Sequence, residues 1–282
     1  MSGRMGVVAA VLCGLTSVSL GQRSRVSFEP VPAATLNPQG FVVDSVHFGA
    51  LDVAGLLAQD RVRENAGEIP RFAVPNQVNL TPDQYGSVQL LEGGRIAWRL
   101  DIQADAAHSI NIGTTFNVPD SLAMYLLMGD GQTPWGEFTA RDNFNGEMWS
   151  PIVPGDTMRI YAEMDEADWD QFRAGFAITS VNIGYRGLGE ALASRPGAED
   201  STRSDACHTD VACEEADPWC QQVKGAACYT INGFGTCSCS VLNNTADDER
   251  PLVYTAYHCG AQNSPNSVRV YFNFQNATCH PP

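Results

Sequence analysis

Lysine is almost missing from this chain. Of 17 basic residues among 282, Lys224 is the only lysine, and 32 acidic residues set the net charge at −15. That deficit argues against a nucleic-acid binder, which needs a basic face to displace counterions from phosphates. It argues equally against docking on anionic lipid, so neither nucleic acid nor membrane is an expected partner. Cysteine is absent from residues 22–206, and no Cys-x₂-Cys pair occurs anywhere. Zinc ligation by Cys with His208, His258 or His280 therefore lacks the usual spacing, and no metal or cofactor is expected. Beyond the N-terminal stretch no apolar run reaches the roughly eighteen residues of a membrane span. What is present, 44% hydrophobic and 9% aromatic residues, builds ordinary cores and excludes wholesale disorder.

The N-terminus reads as an address. Arg4 gives a positive start, Val7 to Leu20 are mostly apolar, and Ser19-Leu20-Gly21 places small residues at −3 and −1 of a cleavage site. This pattern fits a secretory signal peptide over residues 1–21, too short and wrongly flanked for a stable span. Leu12 before Cys13 is too large for lipoprotein processing. The mature chain is expected to be secreted, either extracellular or periplasmic.

Eight cysteines remain after that segment, all within the last 76 residues: Cys207, Cys213, Cys220, Cys228, Cys237, Cys239, Cys259 and Cys279. An even count packed so densely in an exported chain reads as a disulfide framework.

Residues 22–186 carry β character. Ile96, Trp98, Leu100 and Ile102 alternate with Ala97, Arg99, Asp101 and Gln103, which predicts one buried and one outward set. Met158, Ile160, Ala162 and Met164 repeat the pattern, and 109–118, 123–128 and 176–185 are further strands. Gly93-Gly94, Gly129-Asp130-Gly131 and Pro154-Gly155-Asp156 supply turns between them. Many short strands at this spacing predict a β-sandwich or jelly roll. Residues 51–66, with Gly67 behind them, predict one helix. His47 and His108 show no partner in the sequence, and the acidic run from Asp165 to Asp170 lacks the glycine of a calcium loop. Trp135, Trp149 and Tyr161 read as core rather than as a sugar-binding groove. Asn79-Leu80-Thr81 fits the glycosylation triplet.

Residues 187–206 lose periodicity and read as a linker, with Arg195 and Arg203 as candidate processing sites. Beyond it, 227–231, 235–242, 252–257 and 268–274 predict four strands. Thr255-Ala-Tyr-His-Cys259 is a strand ending in His258, with Cys237 lying 22 residues before Cys259. A disulfide there would fix where the imidazole projects, and a positioned His serves as general base when an acid orients it.

The stretch from Cys207 resembles the start of the peptidase domain in the lysyl endopeptidase branch of trypsin-like serine peptidases. The pieces are Cys207-His-Thr-Asp-Val-Ala-Cys213, Cys237-Ser-Cys-Ser-Val-Leu-Asn-Asn-Thr245, Thr255-Ala-Tyr-His-Cys-Gly260 and Val270-Tyr-Phe-Asn-Phe-Gln-Asn-Ala-Thr-Cys279. The resemblance implies a β-rich pro-domain followed by part of a chymotrypsin-fold barrel. It implies His258 as the base of a Ser-His-Asp triad, a Cys237–Cys259 bridge and a Cys213–Cys279 bridge. Cys207, Cys220, Cys228 and Cys239 are left without assigned partners.

The chain also departs from the family pattern. No Gly-Asp-Ser-Gly and no Gly-x-Ser-x-Gly occurs, and Asp247 and Asp248 precede His258 instead of coming after it. The expectation is a peptidase precursor truncated in 207–282 and inactive, because nucleophile and triad Asp are missing. Its partner would be a protein or peptide substrate once a second half completes the site. Cleavage specificity and oligomeric state are not legible. The alternatives are a secreted β-sandwich binding protein with a stapled remnant tail, or a pro-region acting in trans on a separate peptidase.

Overall fold

The computed structural model describes residues 43–129, 134–188, 211–246, 248, 250, 252–274 and 279. The signal-peptide residues 1–21, most of the linker, Arg195, Arg203, Cys207 and His280 lie outside the described residues.

The fold is mainly β. Strands in chain order are β1 (Ser45–Phe48), β2 (Ala73–Leu80), β3 (Ser87–Leu91), β4 (Arg95–Ala104), β5 (Ser109–Phe116), β6 (Ala123–Met128), β7 (Pro134–Phe138) and β8 (Glu147–Trp149). They continue as β9 (Val153–Pro154), β10 (Thr157–Asp165), β11 (Phe176–Gly184), β12 (Ala226–Ile231), β13 (Gly235–Leu242), β14 (Leu252–Tyr254) and β15 (Arg269–Phe272). Helices are α1 (Val53–Asn65), α2 (Trp169–Gly175) and α3 (Cys220–Gly225).

Two sheets face each other. One runs β1-β4-β10-β6-β7, with β3 also paired to β4, and the other runs β2-β11-β5-β8, with β9 also beside β5. Their shared core holds Ile96, Trp98, Leu100 and Ile102 from β4, Met158 to Met164 from β10, and Ile110, Ile112 and Phe116 from β5. Period-two alternation puts these side chains inward, as a half-buried strand requires. Most of the outward set of β4 is not solvated, however: Ala97, Arg99 and Asp101 are buried, while Gln103 is exposed. Arg99 lies over the Tyr161 ring, and Asp101 accepts two 2.7 Å hydrogen bonds from Arg159, so charge pairing covers the outer face.

One irregularity positions the later site. In β11 the register shifts between Ile178 and Ser180 against both neighbours. The extra residue changes parity, so Phe176 and Ile178 before it and Val181 and Ile183 after it all reach the core. Ser180 and Asn182 are thereby turned to the opposite face, where Asn182 sits directly across from Asn111 of β5.

Helix α1 forms where expected, with the Asp52 side chain accepting from Gly55 N. Its burial is the reverse of an apolar stripe. Val62 is 71% exposed, while Asp60 is buried. Asp60 accepts hydrogen bonds from Arg71 Nε (2.7 Å), Tyr185 Oη (2.6 Å) and Arg186 Nη2 (2.8 Å). Burial by itself would raise this carboxyl, but those hydrogen bonds and the Arg186 charge outweigh it and hold it below the usual range.

The remaining strands form a four-stranded antiparallel sheet, β14-β13-β12-β15. It is open, with no closed barrel among the described residues. Ala227, Tyr229, Ile231, Cys239, Cys259, Ala261 and Val268 form its own small core. The expected strand over 252–257 stops at Tyr254, and residues Tyr257–Cys259 form a 3₁₀ turn.

Candidate functional site

His258 stands on that 3₁₀ turn, not at a strand end. Pairing with β13 runs only over Leu252–Tyr254, and the next residue, Thr255, is held by its Oγ1 on Ser238 O (2.9 Å) and the Tyr229 hydroxyl (3.2 Å). Gly260, at φ 75°, closes the turn in the left-handed region that glycine enters without steric cost. The turn buries Cys259 and leaves His258 exposed. Cys259 is joined to Cys237 of β13, so the disulfide anchors the turn onto the sheet. An imidazole nitrogen of His258 and the two sulfurs lie within 4.8 Å of one another.

No carboxylate or hydroxyl is hydrogen-bonded to the His258 ring among the described residues. Asp248 is engaged in its own loop, accepting from Asn244 Nδ2 (2.6 Å) and Arg250 N (3.2 Å). The hydrogen bond from Asn244 holds its carboxyl below the ordinary range. Asp247 lies outside the described residues. A lone exposed imidazole can exchange protons with water or a ligand, but it has no orienting acid here.

A second bridge joins Cys213 to Cys279 across 66 residues. Cys220 is a free, exposed thiol; Cys228 and Cys239 are free and more enclosed. Burial pushes the Cys239 thiol up to about 11 and raises Cys228, so both are protonated and weakly nucleophilic at neutral pH. Cys228 sits in the wall of a cavity of about 910 Å³, with Val223, Thr236, Ser240, Tyr254 and Phe274 among its neighbours.

The best-built polar constellation, which joins the sandwich to the C-terminal sheet, is not foreshadowed by any motif. The β12–β13 hairpin turns at Asn232 and Gly233, at φ 53° and 71°. Gly233 presses on the outer face of the sandwich, where Asn111 Nδ2 donates to its carbonyl at 2.9 Å. Asn182 Nδ2 donates to Asn111 Oδ1 (3.0 Å), and Ser180 Oγ donates to Asn182 Oδ1 (3.0 Å). All three sandwich residues are buried. Backbone pairing extends the contact: Phe72 N bonds Phe234 O (2.8 Å), and Thr236 N bonds Pro70 O (3.0 Å).

The β15 edge makes the other half. Tyr271 Oη accepts from Ile152 N at 3.2 Å, and Asn145 Nδ2 donates to Asn266 Oδ1 at 3.3 Å. The buried Arg269 guanidinium donates to the Trp149 carbonyl. Burial lowers its pKa to about 10, against the opposing charges of Tyr271 and Asp142. Phe72, Ala73 and Ile152 pack with Phe234 and Tyr271 beneath these bonds. The only signals in the sequence are the Asn-Gly turn and the polar outward positions of β5 and β11.

Other marked residues do not assemble. His47 finds Asp105 at 2.8 Å, a pair exposed on the far sheet edge without a nucleophile. Trp135 packs against the sandwich core and Tyr161 in a separate outer cluster, while Trp149 lies against Gly113, so the three line no common groove. Asn79 is exposed on β2.

In comparison with known families, residues 201–282 match the model described as lysyl endopeptidase, C-terminal domain. Over that segment the chain is similar to a serine peptidase family.

Proposed function

We propose that residues 207–282 are the histidine-bearing part of a secreted trypsin-like endopeptidase, and that His258 occupies the general-base position. The observation that carries this reading is the turn itself: a bridge from β13 to Cys259 holds His258 outward, within a segment similar to lysyl endopeptidase. A base in that position takes the proton of a serine hydroxyl as it attacks the scissile carbonyl, then returns it to the leaving amine. The sequence contains no Gly-Asp-Ser-Gly turn, and among the described residues no acid is hydrogen-bonded to the His258 ring. Hydrolysis therefore requires residues beyond these, and the chain alone is inactive. Without nucleophile and oxyanion donors, a single His provides no acyl transfer.

The sandwich is the pro-region in this reading, and residues 187–206 are the processed linker. With lysine absent upstream of Lys224, Arg203 and Arg195 are the candidate cleavage points. The second reading, a sandwich that acts in trans on a peptidase, is favoured by one observation. Its contact with the C-terminal sheet is a set of buried, satisfied hydrogen bonds centred on Asn111, Asn182 and Gly233. Such a contact can persist after the linker is cut.

Purified chain incubated with Lys or Arg ester substrates and with a serine-directed phosphonate tests the first reading. The expected result is no turnover and no labelled serine; labelling of any serine would refute inactivity. Reading the coding DNA past codon 282 for a Gly-Asp-Ser-Gly in any frame tests whether a nucleophile turn follows.

A further inference from the structure

We propose that the sandwich serves the C-terminal sheet as a cover for the face opposite His258, supporting that sheet while leaving the imidazole open, and not as a plug over the site. Calling the sandwich a pro-region rests on the proposed function; the placement of the two faces does not. Directly opposed residues of an antiparallel pair share a face, and successive residues alternate between faces. Thr230 opposes both Arg269 and Thr236, and Cys228 opposes Tyr271, so these side chains stand on one face. Tyr229 opposes Cys237 and Val270, which places them on the other.

Each face has its own neighbour. Arg269 and Tyr271 reach the Trp149 carbonyl and Ile152 N of the sandwich. Cys237 holds Cys259, and with it the turn that carries His258. Strand order separates the two further: β15 lies at one edge of the sheet, and the His258 turn follows β14 at the other. The N-terminal part reaches the His258 face at Ile69, beside Gly235 at the hairpin tip. His258 is exposed with the sandwich in place, and its neighbour Tyr257 is 84% exposed. A plug would bury the imidazole; this contact buries Gly233 and Arg269 instead. Phe234 and Tyr271 pack with Phe72 and Ile152, so departure of the sandwich returns apolar surface to water and strips the partners from a buried guanidinium. The sheet then loses support, while access to His258 stays the same. Residues 22–206 contain no cysteine, so no disulfide retains the sandwich once the linker is cut, and the contact alone sets its release.

The test uses the full chain with a site-specific protease sequence placed between Arg195 and Arg203. Carbethoxylation of His258 by diethyl pyrocarbonate, followed by peptide mass spectrometry, reads access to the base with no peptidase activity involved. In the uncut chain His258 is expected to be protected less than about threefold relative to urea-unfolded chain with its bridges intact. After the cut, release of the C-terminal part from immobilised sandwich is expected to quicken at least about tenfold in Gly233→Ala and at least about fivefold in Tyr271→Phe. Tyr257→Ala, on the His258 turn, keeps the wild-type release rate. Protection of His258 beyond about tenfold overturns the proposal. Faster release in Tyr257→Ala, or wild-type release in both junction variants, overturns it as well. A coding sequence without a nucleophile turn would remove the peptidase reading and leave all of these rates as they are.

Discussion

Gly233→Ala tests the junction between sandwich and C-terminal sheet at its narrowest point. Two costs act together there. Gly233 sits at φ 71°, and an L-residue in that region costs about 1–2 kcal/mol. A Cβ would also collide with the Asn182 amide nitrogen and Asn111 Oδ1, both held by buried hydrogen bonds. Neither amide can retreat without breaking its own contacts, and overpacking of this kind costs about 1–3 kcal/mol. The expected loss is therefore roughly 2–5 kcal/mol. Gly94→Ala isolates the backbone share, because Gly94 has φ 72° and open space around its Cβ position. It should cost only about 1–2 kcal/mol. Denaturant midpoints for both variants, monitored by far-UV circular dichroism and by tryptophan fluorescence, measure the difference. Asn182→Ala in the Gly233→Ala background removes the nearest obstacle and should recover part of the loss. Equal costs at Gly233 and Gly94 would refute the packed junction.

Other consequences are open to direct measurement. Asp60 carries a depressed carboxyl pKa, so its stabilising share is full above the unfolded value near 4 and lost as pH falls through the folded one. Asp60→Asn should flatten that acid limb and cost about 3 kcal/mol at pH 7 by leaving Arg71 and Arg186 without their shared acid; an unchanged acid limb in thermal melts from pH 2 to 7 would contradict this. Tyr271→Phe leaves Ile152 N without its acceptor and should cost about 1–2 kcal/mol in urea unfolding, with the same slope; a loss under about 0.3 kcal/mol would mean that water serves as well.

The C-terminal hairpin and the β-sandwich strands are legible for the same reason. Ile96 to Ile102 and Met158 to Met164 alternate because each lies on one pleated face over a common core. The outward face is different. Arg99 and Asp101 look solvated by alternation, yet Tyr161 and Arg159 cover them from the neighbouring strand, a pairing set by register and not by local sequence. Helix α1 is legible from its limits, but its apolar residues face outward because Asp60 draws the helix onto Arg71, Tyr185 and Arg186. The bulge in β11 has no local signal, since a parity change is recognised only against paired strands.

The sequence by itself determined the mainly β class, the confinement of cysteine to the C-terminal part, and the presence of His258 beside Cys259. These rest on composition, period and adjacency, which are properties of the chain as written. Tertiary structure decided which groups meet. It carried Cys237 to His258 across 21 positions and turned the end of β14 into a 3₁₀ turn. It also set Gly233 against an asparagine pair more than 50 residues away. Such contacts depend on register, bulges and the closing of long loops, and the free energy that selects them is gained only when the sheets have packed.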